Sequence, residues 1–88
     1  MKELSIRIRT FIDKYAVIRP DLEEGDCKFT SPDASELFYC AELLDKGIKP
    51  ERCFSEWGSG GYKPYNDRKG REEHDKLVSE IYDIIKSK

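Results

Sequence analysis

The chain has 88 residues, no apolar run long enough to cross a membrane and no basic-then-apolar start, so it reads as one domain with neither a membrane span nor a signal peptide, expected in the cytoplasm. Charged residues make up 39% and hydrophobic residues 38%, a mixture compatible with folding because the apolar residues recur periodically rather than being scattered. A chain this short buries only about 60–65% of the surface its unfolded form exposes. Few residues remain for an active site once the core is filled, which favours a binding or regulatory role over catalysis.

Residues 2–19 read as an amphipathic helix. Leu4, Ile8, Phe11, Tyr15 and Ile18 recur at alternating spacings of four and three, with Ile12 and Ala16 widening the stripe and charged residues covering the other side. Arg19–Pro20 predicts its end, since the residue before a proline is pushed out of helical geometry. Residues 20–31 form an acidic connector with a turn at Gly25, and Cys27–Thr30 is a candidate short strand. Ser31, Pro32 and Asp33 then make a helix start: a capping hydroxyl, a proline at the first helical position and an acid in the first turn. This second helix is expected to run to about Lys46 with Leu37, Cys40, Ala41 and Leu44 on one face, and to stop at Gly47 in a left-handed conformation.

Pro50–Trp57 reads as a shorter helical piece closed by Gly58. From Gly58 to Asn66 there is neither helical nor strand period, so that stretch is a loop. A last helix begins somewhere between Asn66 and Arg71 and runs to about Lys86, with Leu77, Val78, Ile81, Ile84 and Ile85 as its apolar stripe. The expected fold is mostly α: a small irregular bundle of three main helices, one short helix and an ordered glycine-rich loop. An α+β fold with a strand near Cys27–Thr30 is the alternative.

Charge is distributed unevenly. Residues 1–20 carry five basic and two acidic groups, residues 21–45 one and eight, residues 46–71 seven and three, and residues 72–88 three and five. Intramolecular pairing and solvated helix faces account for much of this. A polarised surface with an acidic and a basic side, each available to a partner, is the functional reading.

Cys27, Cys40 and Cys53 are an odd set without the short spacings of zinc ribbons or fingers, so they read as reduced, buried thiols, and no metal or cofactor is expected. His74, the lone histidine, falls on the line of Leu77, Val78 and Ile81 and reads as a boundary residue touching the core. No carboxylate pair or nucleophile–base pair stands out, and no catalytic residue is assigned.

The working surface suggested by composition is the loop from Trp57 to Arg71. Gly58, Gly60 and Gly61 relax steric limits and let backbone N–H groups converge, as an anion cradle requires. Trp57, Tyr62 and Tyr65 offer flat faces, and Lys63, Arg68, Lys69 and Arg71 supply positive charge opposed only by Asp67. The stretch lacks both the phosphate-loop spacing and the dinucleotide-binding glycine fingerprint. Trp57 is expected to anchor the loop in the core. Gly60, Gly61, Tyr62, Lys63, Tyr65, Arg68, Lys69 and Arg71 are expected to face a partner.

The function these features favour is a non-enzymatic interaction module, an inhibitor or adaptor binding a protein or a protein–nucleic-acid complex through that loop, with the acidic segment 21–45 as a second surface. The short, charged character resembles bacterial or phage accessory proteins, a likeness of composition rather than of motif. Capture of a nucleotide or other phosphorylated compound in the same loop is the alternative, and direct nucleic-acid binding the third. A leftover apolar stripe on the first or last helix would suit a homodimer. If the last helix starts at Asn66 or Asp67, Arg68 and Lys69 lie in its first turn, where cations are unfavourable unless an anion binds.

Overall fold

The four-and-three recurrence of apolar residues near the start of the chain produces helix α1, Lys2–Tyr15, whose buried residues include Leu4, Ile8, Phe11, Ile12 and Tyr15. The structure, a computed structural model, describes residues 2–17, 32–59, 61–62 and 66–87; the side chains of 32 and 59 are not among what is described. Helix α2, Pro32–Asp45, packs on α1 and buries Ala34, Leu37, Cys40, Ala41 and Leu44, the face its sequence spacing selects. A single 3-10 turn at Trp57–Ser59 precedes helix α3, Arg68–Lys86, which buries Gly70, His74, Leu77 and Ile81. The protein is a small, mostly helical bundle, with no strand among the described residues.

Glycine ends α2 as its sequence requires. Gly47 adopts φ +72°, a left-handed conformation that costs a side-chain-bearing residue about 1–2 kcal/mol. The turn lets the Gly47 N–H reach the Leu44 carbonyl at 3.1 Å and the Ile48 N–H reach that of Leu43 at 2.8 Å, so two end-of-helix carbonyls are satisfied.

Opposite charges from distant segments pair across the helices. Arg7 of α1 grips Glu80 of α3 with two hydrogen bonds of 2.8 and 2.6 Å. Asp45, closing α2, accepts from the buried Ser5 hydroxyl at 2.5 Å and from Arg9 at 2.6 Å. These contacts hold both carboxyls below their ordinary range. For Asp45 the Ser5 hydrogen bond is the larger cause and Arg9 the next; for Glu80 the cause is Arg7. Part of the uneven charge along the chain is thus used internally.

Two expected elements differ from the structure. Helix α1 stops at Tyr15 rather than near Arg19, because the chain turns to pair with the loop: Ala16 and Tyr62 form an antiparallel backbone pairing, and the Val17 N–H donates to the Gly61 carbonyl at 2.9 Å. The expected helix at Pro50–Trp57 does not form beyond the single turn that Trp57 opens. Its backbone groups are taken by other elements. Tyr82 donates to the Cys53 carbonyl at 2.7 Å, the Cys40 thiol approaches the Arg52 carbonyl at 3.6 Å, and the Glu56 N–H donates to Asp33 at 2.9 Å. Burial alternates along this segment, with Cys53, Ser55 and Trp57 inside and Phe54 and Glu56 outside. Asp33, expected only to complement the α2 dipole, is buried as the bolt between α2 and this segment. Residues 20–31, including the candidate strand Cys27–Thr30 and the Ser31 cap, lie outside the described residues.

Candidate functional site

Trp57 and Tyr62 turn inward on either side of the glycines that follow the 3-10 turn. Trp57 and Tyr62 stack with ring planes 5° apart and centroids 5.2 Å apart, Phe11 lies 5.4 Å from Tyr62, and Tyr15 meets the Trp57 ring edge-on at 5.7 Å. Trp57 anchors the core as expected. Tyr62, expected to face a partner, is fully buried, and Gly61 beside it is buried with its carbonyl bonded to Val17. The reason is energetic: a ring of this size contributes several kcal/mol when buried, and a small chain has few others to use. Gly60, Lys63 and Tyr65 lie outside the described residues.

Beneath these rings runs a chain of polar contacts. The Tyr62 hydroxyl lies 2.6 Å from Ser55 Oγ, Ser55 Oγ lies 2.7 Å from His74 Nε2, and His74 Nδ1 lies 3.1 Å from Asp75 Oδ1. Ser55 and His74 are buried, whereas the Asp75 side chain is 62% exposed. Burial pushes the Tyr62 phenol well above its ordinary value, so it keeps its proton. No described buried side-chain nitrogen or oxygen lacks a partner. His74 is therefore more than the boundary residue its helical position suggests. Its demand for partners was legible, since a buried imidazole must be hydrogen-bonded, but nothing in the sequence singled out Ser55 as one of them.

The start of α3 settles at Arg68. Asp67 caps it, its carboxylate accepting from the N–H groups of Lys69 and Gly70 at 2.9 and 3.2 Å. Arg68 and Lys69 stand exposed in a first turn that holds no acid, and exposed Arg71 follows, loosely paired with Asp75 at 3.8 Å. Gly70 is buried here because a side chain would not fit: an added Cβ would lie 2.7 Å from the Trp57 ring and 2.9 Å from the Tyr15 ring. Of the residues expected to face a partner, Arg68, Lys69 and Arg71 are thus brought together at the surface.

A second exposed surface was not expected. Tyr39 is 56% exposed, Ile48 49% and Phe54 60%, although all three are large apolar residues. Tyr39, Ile48 and Arg52 line a groove of about 400 Å³ beside the C-terminal half of α2, and the Arg52 guanidinium lies 5.3 Å from the centre of the Phe54 ring. Lys49, Glu36 and Glu51 give the same groove a charged border. The sequence signal was present at Tyr39, which falls outside the buried face of α2, but Ile48 and Phe54 have no period to place them. The buried thiols Cys40 and Cys53 sit behind this surface; their mutual hydrogen bond, then burial, raises Cys40 so that it stays protonated. Among the described residues no cluster of three metal-ligating side chains occurs, and no helix is long and apolar enough to cross a membrane. Comparison with protein-family models, curated proteins and solved structures finds no match for the chain.

Proposed function

We propose that this chain is a small interaction module, an inhibitor or adaptor, that works by binding a protein partner through the surface around Tyr39, Ile48, Arg52 and Phe54. The observation that carries the reading is the exposure of three large apolar side chains joined by Arg52, in a chain that builds its core from Phe11, Tyr15, Trp57 and Tyr62. Contiguous exposed apolar surface with a charged rim is what interfaces have, and Tyr and Arg are over-represented among their energetic anchors. The exposed cations at the start of α3 offer a second, electrostatic contact, which steers encounter more than it sets affinity.

The test compares immobilised wild type, a Tyr39→Ala/Phe54→Ala variant and an Arg68→Ala/Lys69→Ala/Arg71→Ala variant against host lysate. The expected result is a discrete protein retained by the wild type and the cation variant and lost by the first variant, with melting temperatures alike. Equal retention by the Tyr39→Ala/Phe54→Ala variant would sink the proposal.

A nucleotide or phosphorylated compound at the start of α3 is the second reading, favoured by the Arg68 start, which puts cations in the first turn. The Asp67 carboxylate weighs against it, because it already accepts from two of the N–H groups an anion would use. A nucleotide at 100 times its dissociation constant would stabilise the fold by about 2.7 kcal/mol. No thermal shift across a nucleotide panel would remove this reading.

A further inference from the structure

We propose that Ser55, one of the residues lining an open depression of about 620 Å³, is an acylatable nucleophile that His74 activates toward a small activated ester or thioester. The proposal stands apart from the binding surface beside α2 and does not depend on it.

Proton bookkeeping along the contact chain fixes the direction of each bond. Asp75 Oδ1 lies 3.1 Å from His74 Nδ1, and a carboxylate there places the imidazole proton on Nδ1. His74 Nε2 then carries a lone pair, and 2.7 Å away the Ser55 hydroxyl is the group that donates to it. The Tyr62 hydroxyl, kept protonated by burial, donates to Ser55 Oγ rather than competing for the same proton. Every hydroxyl proton is committed in one direction, toward the base. Nucleophile, base and orienting carboxylate are within the reach such chemistry needs.

Ser55 is 8% exposed and lines the depression together with Trp57, Gly58, Arg71 and His74. The small exposure of Ser55 favours small acyl groups. Arg71 lines the same depression and supplies positive charge for the oxygen that becomes negative during attack.

In the proposed step Ser55 Oγ forms a bond to the acyl carbonyl carbon while its proton passes to His74 Nε2. The tetrahedral adduct collapses, the bond from carbon to the leaving oxygen or sulfur breaks, and the leaving group takes the proton from Nε2. The product is a serine ester and a free alcohol or thiol, with no oxidant, metal or cofactor consumed.

The test uses the whole chain and p-nitrophenyl acetate. A burst of about one equivalent of p-nitrophenol is expected, with the acetyl group located on Ser55 by peptide mass spectrometry ahead of Ser79, which lines the same depression and serves as internal control. His74→Gln should slow acetylation of Ser55 at least about 100-fold, and Asp75→Asn should slow it less, with helical circular dichroism unchanged. Should His74→Gln fail to fold, the wild-type adduct map decides alone. Acetylation confined to lysines, or Ser55 labelled no faster than Ser79, would overturn the proposal.

Discussion

Two groups of aromatic side chains in this protein have opposite fates. Trp57 and Tyr62 stack inside, against Phe11 and Tyr15, whereas Tyr39 and Phe54 stand more than half exposed. The residues are chemically alike, and Phe54 lies three positions from Trp57, so composition does not separate them. What does is where backbone and hydroxyl groups find partners. Tyr62 is held by the pairing of its strand-like backbone with Ala16 and by its hydroxyl on Ser55. Phe54 is turned out because its neighbours Cys53 and Ser55 are both turned in.

The sharpest way to break this comparison is to truncate one member of each group. Tyr62→Ala or Trp57→Ala should cost about 3–5 kcal/mol, a large fraction of the stability a domain of this size possesses. Tyr39→Ala or Phe54→Ala should stay within about 0.5 kcal/mol. Chemical denaturation measures both, and each kcal/mol corresponds to a shift of about 4–8 °C in Tm. Similar losses at Phe54 and Tyr62 would mean that the exposed surface is part of the core.

How far this division was legible in the sequence depends on periodicity. The helical stripes of α1, α2 and α3 were legible because each apolar position repeats with the helix, and the choice of Gly47 as terminator rests on a conformation few other residues adopt. Tyr62 was not, because the stretch around it has no period and its glycines and cations describe an exposed loop as well as a buried one. Only the long-range pairing with Ala16 and Val17 decides, and that pairing also shortened α1. The same holds for Ser55 and His74, nineteen residues apart. The proposed binding surface has the same cause: Ile48 and Phe54 are placed by caps and long-range backbone bonds rather than by a stripe.

Glycine positions sharpen the contrast at smaller cost. Gly70→Ala should destabilise by about 1–3 kcal/mol through overpacking, since the new Cβ meets the rigid rings of Trp57 and Tyr15. Set against the gain of about 1 kcal/mol that alanine otherwise brings to a helix, the net loss is about 0–2 kcal/mol. Gly47→Ala, at the end of α2, meets nothing within 4 Å and should cost about 1–2 kcal/mol through its positive φ alone. A double mutant should lose the sum, because the two costs have unrelated origins. Asp67→Ala should remove about 1 kcal/mol by uncapping α3, and it exposes Arg68 and Lys69 without their nearest carboxylate. If a nucleotide binds there, that variant should bind it more tightly.

The smallest effect concerns the polar ties that hold α1 to α2 and α3. Asp45 and Glu80 both have carboxyls lowered in the folded protein, by Ser5 and Arg9 in the first case and by Arg7 in the second. A carboxyl lowered on folding contributes stability that is fully present above its unfolded value, about 4. The contribution is lost as pH falls through the lowered folded value, because the unfolded chain takes up protons first. Melting temperature should therefore decline on acidification below about pH 4. Ser5→Ala should flatten the part of that decline due to Asp45 and Arg7→Gln the part due to Glu80. Both pairs are partly exposed, so raised salt should weaken them as well. The aromatic packing of Trp57 and Tyr62 contains no group that titrates in this range, and Tyr62 is displaced upward. A Tyr62→Phe protein should thus start from a lower melting temperature and show the same acid slope as the wild type. A steeper slope in that variant would show that the aromatic core and the α1 ion pairs are coupled rather than separate.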